Sequence, residues 1–536
     1  MKKNQARLIT FLSLVVFLFA FLLSGRLWFR LDLTKNKANT ISDVSRSLYR
    51  EISDQVRITY FVSEKLSRTY PMPGEIADLL REYAARSWGR IRFIQKDPAK
   101  EEVIRAIEGL GIIGQQIQVA EKNETTVAIV YSGILIEYLD REAVIPFVFA
   151  LDTLEYDISS RIRSLVRNVE RELGVIVGDA HKQWNTDYGL LNRELVLSGF
   201  KVRLITPGEE IPTGLTALFV LGGAEDLDDY CLYLIDRFVL GGGNVFFAVD
   251  GTFVDTKSNL EARAVEDKGL LAMLANYGAV VRQALVLDRT ALSLTFQTQT
   301  GNTTIIQTVR YPEWIGIREQ GGNADHPLTA RFDGLDLFWA SPLELIPPPG
   351  IQEEALFFST NQAWLQTKRF VANPNALDQF TEEADETRGI KLLGATLSGI
   401  FPGAYEGRPQ PLREGSAELP ALPSQKKPAR IIVVGDADFA GSIMQVNRGE
   451  QKNLSFLIRA ADWLCSDEDM VAIRRREGSS GRLDRIMEPE KRDKVMTFSR
   501  RINTFVIPIG VILAGLFLGW RRKTKSVKER GRSIDL

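Results

Sequence analysis

The stretch "RIIVVGDADF", residues 430–439, decides the fold. Four β-branched residues run from Ile431 to Val434, Gly435 follows, and Asp436 and Asp438 flank Ala437. An unbroken apolar run of this kind is how a strand reads when both faces of a parallel sheet are covered. The Gly-Asp ending would deliver carboxylates to the rim of that sheet. Two other segments echo it. "LGVIVGDAH" (173–181) ends in Gly178 and Asp179, and "NVFFAVDGTF" (244–253) passes Asp250. "ALFVLGG" (217–223) is a further apolar run closed by glycine. Helical patterns lie between these segments: "YGLLNRELVLSGF" (188–200), "DLDDYCLYLIDRFVLGGG" (226–243) and "NLSFLIRAADWLC" (453–465). Strands alternating with helices at this spacing predict an α/β domain built on a doubly wound parallel sheet.

Working outward, this larger domain spans 173–469. From about 254 to 405 the alternation weakens, and segments such as "TIIQTVRYPEWIGI" predict a β-rich insertion. The Pro-rich stretch 407–430 reads as a surface linker. Upstream, "LDTLEYDISSRIRSLVRNVE" (151–170) has Leu154, Ile158, Ile162 and Leu165 on one stripe and reads as a linking helix. Residues 31–150 predict a small α/β domain. Thr40 or Ser42 caps a helix to about Ile52, and "QVRITYFVS" and "GRIRFIQKDP" are strands around the helix "GEIADLLREYAARS". A further helix from Lys100 leads to "QQIQVAE" and "TTVAIVYSGILIEYL", strands joined by a polar turn. The layout is thioredoxin-like, but no C-x-x-C is present.

Two stretches are unlike a soluble protein. "LITFLSLVVFLFAFLLSG" (8–25) follows Lys2, Lys3 and Arg7, and "NTFVIPIGVILAGLFLGW" (503–520) is followed at once by Arg521, Arg522 and Lys523. Each is just long enough to cross a bilayer. The first reads as an uncleaved anchor rather than a signal peptide, because "LLSGRLW" is a poor cleavage site. The expectation is an anchor in 1–30, a charged juxtamembrane segment at 470–502, a second span at 503–520 and a basic tail at 521–536. Both termini would then lie on the inner side of the cytoplasmic membrane and the bulk of the chain outside it. The excess of Lys and Arg at the termini is slight, and long domains translocate largely regardless of charge.

Composition narrows the chemistry. The chain carries 67 basic and 68 acidic residues, and no basic patch is interleaved with aromatics, so nucleic acid is not an expected partner. Two cysteines, Cys231 and Cys465, and two histidines, His181 and His326, rule out a disulfide framework and a Cys- or His-rich metal centre. Both cysteines fall on apolar helix faces and read as core. No G-x-x-x-x-G-K-[ST] occurs, and the glycine run 241–243 follows a helix rather than opening one, so ATP hydrolysis by this chain is not expected. What remains is the set Asp179, His181, Asp250, Asp436 and Asp438, at strand ends on one carboxyl edge. That edge is where open α/β sheets bind ligands, and several carboxylates there suit Mg²⁺ or Ca²⁺. The plainer reading is preferred: each aspartate closes a turn or caps the next helix. On that reading no metal or cofactor is expected.

Several stretches taken in order resemble the GldG-like auxiliary components of ABC transport systems, including those linked to gliding motility. They are "RLDLTKNKANTIS", "LLREYAARSWGRIRFIQKDP", "LYLIDRFVLGGGNVFFAVD", and "RIIVVGDADF" with "NLSFLIRAADWL". The resemblance implies a non-catalytic, membrane-anchored extracytoplasmic subunit beside a separate ABC permease and ABC ATPase. It also implies a larger domain similar to class I glutamine amidotransferases without their catalytic set. Its outer domains would bind substrate, envelope material or another subunit. Two alternatives stand beside it: an envelope metal-assisted hydrolase using Asp179, Asp436 and Asp438, and a purely structural scaffold.

Overall fold

The computed structural model describes residues 41–465, apart from 100, 122–123, 150, 152–153, 168–170, 213, 257–259, 301–302, 330–331, 375–385, 414–418 and 447–448. Both apolar runs, the juxtamembrane segment and the basic tail lie outside the described residues. Among the described residues no helix is long and apolar enough to cross a membrane.

The small domain begins with a helix, Asp43–Glu51, capped as expected by Ser42, whose Oγ accepts from the Ser45 amide at 3.1 Å. Six strands follow: β1 (Val56–Val62), β2 (Ile91–Lys96), β3 (Gln115–Glu121), β4 (Glu124–Val130), β5 (Ser132–Tyr138) and β6 (Arg141–Ile145). The central sheet has the order β2-β1-β5-β6, with β1 and β2 parallel and the other pairs antiparallel. Helices Asp43–Glu51, Met72–Arg86 and Leu154–Arg167 bring Leu48, Leu80 and Ile158 to one core, with Ile58 and Ile136 of the sheet. Helix Glu101–Gly109 puts Ile107 against Phe61 and Leu135 in a separate cluster.

One expectation is corrected. The long strand read through residues 125–139 is broken at Tyr131, and β3 and β4 pair only with each other. Ser63, at the end of β1, bonds Tyr131 in both directions: its N–H donates to the Tyr131 carbonyl at 3.0 Å and its Oγ accepts from the Tyr131 amide at 2.9 Å. Those bonds hold the chain where the hairpin leaves the sheet.

The linking helix Leu154–Arg167 is joined to the small domain by a buried polar knot. Ser45 Oγ donates to Glu155 Oε1 at 2.7 Å, and the hydroxyls of Tyr83 and Ser159 lie 2.7 Å apart.

The larger domain continues the numbering: β7 (Glu172–Val177), β8 (Lys201–Leu204), β9 (Ala217–Leu221), β10 (Asn244–Ala248), β11 (Thr252–Asp255), β12 (Glu261–Ala264), β13 (Ala279–Val281) and β14 (Leu285–Leu287). Then come β15 (Ala291–Thr300), β16 (Thr303–Ile317), β17 (Leu335–Phe338), β18 (Leu343–Leu345), β19 (Gln352–Phe358), β20 (Trp364–Gln366), β21 (Leu392–Gly399) and β22 (Ala429–Val434). Five strands are parallel, in the order β8-β7-β9-β10-β22.

Successive residues alternate between two cores, as a strand's period of two requires. Ala217, Phe219 and Leu221 face helices Gly189–Leu197 and Glu450–Cys465 on one side. Leu218 and Val220 face helices Asp229–Leu240 and Leu270–Tyr277 on the other. Phe219 stacks on Phe246 with centroids 4.6 Å apart, and both are fully buried. Burial of a side chain of that size contributes roughly 1.5–3 kcal/mol.

The β-rich stretch is only partly a separate lobe. β21 pairs antiparallel with β22, and β13, β18 and β19 continue the same sheet. The lobe proper is the β15-β16-β17 sheet with the β14-β20 pair, and it buries Trp314, Leu337 and Phe338 against the first core.

Candidate functional site

The parallel strands bring four of the five candidate side chains to one place. In the order β8-β7-β9-β10-β22 the direction of winding reverses between β7 and β9. Open sheets bind ligands in the crevice outside that reversal. Here the crevice is closed by backbone. A Cβ added at Gly178, after β7, would lie 2.6 Å from the Gly222 carbonyl oxygen and 2.7 Å from the Gly223 Cα. Gly222 and Gly223 have φ of +72° and +110°, which L side chains rarely adopt. Gly178 N–H donates to Leu221 O, and Gly222 N–H donates to Ala248 O, each at 2.8 Å.

The aspartates are largely committed to the chain itself. Asp436 is fully buried. Its Oδ2 accepts from the Phe338 amide at 2.5 Å, and its Oδ1 accepts from the amides of Asp438 and Phe439 at 2.7 and 3.0 Å. It therefore pins β17 of the lobe to the end of β22. Burial pushes its carboxyl well above the usual range; the charges of Asp250 and Asp438 add to this and the amide donors oppose it. Asp250 Oδ1 accepts from the Ala437 amide at 2.7 Å. Burial, then the Asp438 charge, raise its carboxyl to about 7, against the pull of Lys182. Asp179 Oδ1 accepts from the His181 amide at 2.8 Å.

The residue that organises the cluster is Lys182, which the sequence reading did not single out. Its Nζ lies 2.5 Å from Asp438 Oδ1 and 3.8 Å from Asp179 Oδ2. Burial pulls the ammonium down, but Asp438 and the other acidic groups outweigh it and hold its pKa well above the ordinary lysine value. Tyr188 closes the inner side. It is buried, its ring stacks on Trp184 at 5.9 Å, and its hydroxyl has no hydrogen-bond partner among the described residues. His181 does not join the cluster through its ring: the residue is exposed, and its backbone amide makes the contact with Asp179.

This arrangement answers what "GDADF" does. Its carboxylates gather backbone amides and a lysine, and the lysine stands where a cation would be drawn. Among the described residues no group of three or more His, Cys, Asp or Glu side chains is disposed to hold a metal ion. The three-carboxylate set that a metal-assisted hydrolase would use is instead divided between backbone donors and Lys182. The cysteines are no better placed as nucleophiles. Burial, with the nearby Asp228, pushes the Cys231 thiol up to about 12, and burial pushes Cys465 up to about 11.

The signal available for Lys182 was its position three residues after Asp179 in the same strand-end loop. Nothing in the sequence pairs it with Asp438, 256 residues away.

Residues 170–466, the larger domain with its closed carboxyl edge, match the family model described as an ABC-type uncharacterized transport system. The chain belongs to that family. Residues 35–137, most of the small domain, match a domain model of unknown function. An uncharacterized protein of Borreliella burgdorferi is 26% identical over 489 residues, covering 89% of this chain and 90% of that protein. Among solved structures, the N-terminal domain titled mmIFT52 aligns with 13% identity and a TM-score of 0.32, over 55% of this chain and 98% of that one. A putative ThuA-like protein from Parabacteroides merdae aligns with 10% identity and a TM-score of 0.27, over 55% of this chain and 90% of that one. As a member of an ABC auxiliary family, the chain is an accessory component of an ABC transport system.

Proposed function

We propose that this chain is a non-catalytic subunit anchored in the cytoplasmic membrane by the apolar runs 8–25 and 503–520, with the domains between them outside. Those domains bind substrate, envelope material or another subunit, and work beside an ABC permease and an ABC ATPase. In this reading the small domain has a thioredoxin-like layout. The larger one has the layout of class I glutamine amidotransferases without their chemistry.

The observation that carries the non-catalytic part is the carboxyl edge. The crevice is closed by glycine backbone, and the strand-end carboxylates are occupied by amides and Lys182. Supporting the transport role is the family membership over the larger domain, and the lack of a phosphate-binding loop in this sequence fits an ATPase carried on another chain.

The test is affinity purification of the tagged full chain from native membranes in mild detergent, with mass spectrometry of what accompanies it. An ABC ATPase and a multi-span permease are expected in stoichiometric amounts. Recovery of neither overturns the proposal.

A further inference from the structure

The β15-β16 hairpin outruns the sheet it belongs to. The two strands pair over eight successive positions, from Ser293 with Arg310 to Thr300 with Thr303, while β17 joins β16 only at 314–317. The outer part is therefore a two-stranded ribbon, roughly 27 Å long at ~3.4 Å per residue. Among the described residues β15 has no strand on its other side. A two-stranded ribbon by itself is only marginally stable in water.

An open edge presents a row of unpaired N–H and C=O groups, and folded chains ordinarily blunt such an edge with charged side chains, Pro or a bulge. This arm carries none of these along its length. A quarter of the chain is charged, yet residues 291–309 contain no Lys, Arg, Asp, Glu or Pro. The register shift in the pair lies at the base, between Ala291 and Leu292. The two faces differ. Leu292 and Leu294 pack partly buried against the first core, and Ser293 and Thr295 between them are exposed. On the exposed face the hydroxyls of Thr295 and Thr308 lie 2.9 Å apart, and Ile306, two residues before Thr308, is 66% exposed.

The missing charge selects the occupant. Two copies of one edge meet antiparallel about a two-fold axis normal to the sheet, and residues near the axis face themselves or close neighbours. Any charge there would meet its own sign, which destabilises a cross-strand pair. This edge has no charge to meet, and it also offers none to answer a charged strand of another protein. The same axis keeps each face of the arm on its own side, so residues of like parity come together. Leu292, Leu294 and Phe296 then form one apolar row across the join, and Ser293 and Thr295 line the other face.

We propose that β15 pairs antiparallel with β15 of a second copy of this chain, with Thr295 beside the two-fold axis, so that two ribbons become one four-stranded sheet. This interface goes beyond the transport reading and does not depend on it.

The experiment is sedimentation equilibrium of the full chain in an uncharged detergent. Wild type is expected at twice the chain mass of 60.2 kDa. Thr295→Lys and Thr295→Glu should each weaken the dimer at least tenfold, and Thr295→Val should keep it. Mixing Thr295→Lys chains with Thr295→Glu chains should restore the dimer, which misfolded arms could not do. Thr295→Cys should cross-link to a second copy with bismaleimidoethane. Leu412→Cys, at a position 93% exposed, is the control that should not. Cys231 and Cys465 stay silent because burial holds their thiols up.

A monomeric wild type, a dimer that Thr295→Lys leaves equally tight, or a mixture that does not dimerise overturns the proposal. So does cross-linking no greater at position 295 than at 412, or capture of a different protein by Thr295→Cys in native membranes in place of a second copy.

Discussion

Replacing Lys182 with methionine tests whether the carboxyl edge is held by an internal cation. The side chains of Lys182, Asp438 and Asp179 are 22–26% exposed, so the pair is neither a surface contact nor fully buried. Exposed pairs contribute about 0–1 kcal/mol, and breaking a buried pair costs roughly 3–5 kcal/mol. An intermediate burial and a 2.5 Å contact place Lys182→Met at a loss of ~2–3 kcal/mol near pH 8. Asp438→Asn alone should cost less, ~1–2 kcal/mol, because Asp179 remains near the ammonium. The double variant should lose less than the sum, with a coupling of ~1–2 kcal/mol.

The pH dependence has a definite sign. Asp250 has a folded pKa of about 7, above its unfolded value of ~3.9. Its contribution is therefore fully present below pH ~4 and is lost as pH rises through about 7. Lys182 lowers that pKa, so removing it extends the loss to higher pH. At pH 5 the variant can hold protons on the cluster, and its deficit relative to wild type should shrink. Urea unfolding followed by tryptophan fluorescence reads this directly, since Trp184 packs on Tyr188 beside the lysine. A variant within ~0.5 kcal/mol of wild type at pH 8, the usual range for surface substitutions, or one whose deficit is the same at pH 5, refutes the reasoning.

Three further outcomes follow from buried polar groups. Asn453 is fully buried; its Oδ1 accepts from the Asp336 amide, and its Nδ2 donates to the carbonyls of Asp336 and Phe439 at 2.8 and 2.9 Å. Asn453→Ala should cost ~2–4 kcal/mol in urea unfolding, since three backbone groups lose a partner. Glu313 is fully buried with neither carboxylate oxygen partnered among the described residues, and burial raises its pKa well above the ordinary value. Its contribution is present below its unfolded value of ~4.3 and lost as pH rises through the raised folded value. Glu313→Gln should thus stabilise the chain at pH 8 by upward of ~1 kcal/mol and leave it little changed at pH 4, read from unfolding midpoints at the two pH values. Neither Cys231 nor Cys465 should react with iodoacetamide at pH 8 until the chain is unfolded, because their thiols are held near 12 and 11. Stoichiometric labelling of the native protein within minutes would contradict that.

The parallel strands were legible because burial on both faces demands continuous apolar residues. Ile431–Val434, Ala217–Leu221 and Val245–Ala248 show it, and each is fully buried. The cap at Ser42 was legible because its signal is local. The sheet's antiparallel extension was not. β13 and β18 are three residues each, "AVV" and "LEL", too short to show a period, and β21 contains two glycines. The gathering of aspartates at one edge could be anticipated from topology. Whether each carboxylate faces solvent or an amide could not, because the donors come from distant elements, such as Phe338 reaching Asp436 across 98 residues. The cleft beside the linking helix carried no sequence signal for a related reason: its walls, β6, the linking helix and the turn 198–202, come from separate parts of the chain.

These facts also bear on how one architecture divides its labour. In an open parallel sheet the carboxyl edge is the usual ligand site because loops there splay apart at the reversal of winding. In this chain Gly178, Gly222 and Gly223 remove the side chains that would hold those loops apart, and their backbones meet. Asp436 then ties the lobe to the closed edge, and Lys182 balances the charge that closure concentrates. Beside the linking helix the two domains are bridged by Arg161, whose guanidinium donates to the Val144 and Ser198 carbonyls as well as to the Asp157 carbonyl.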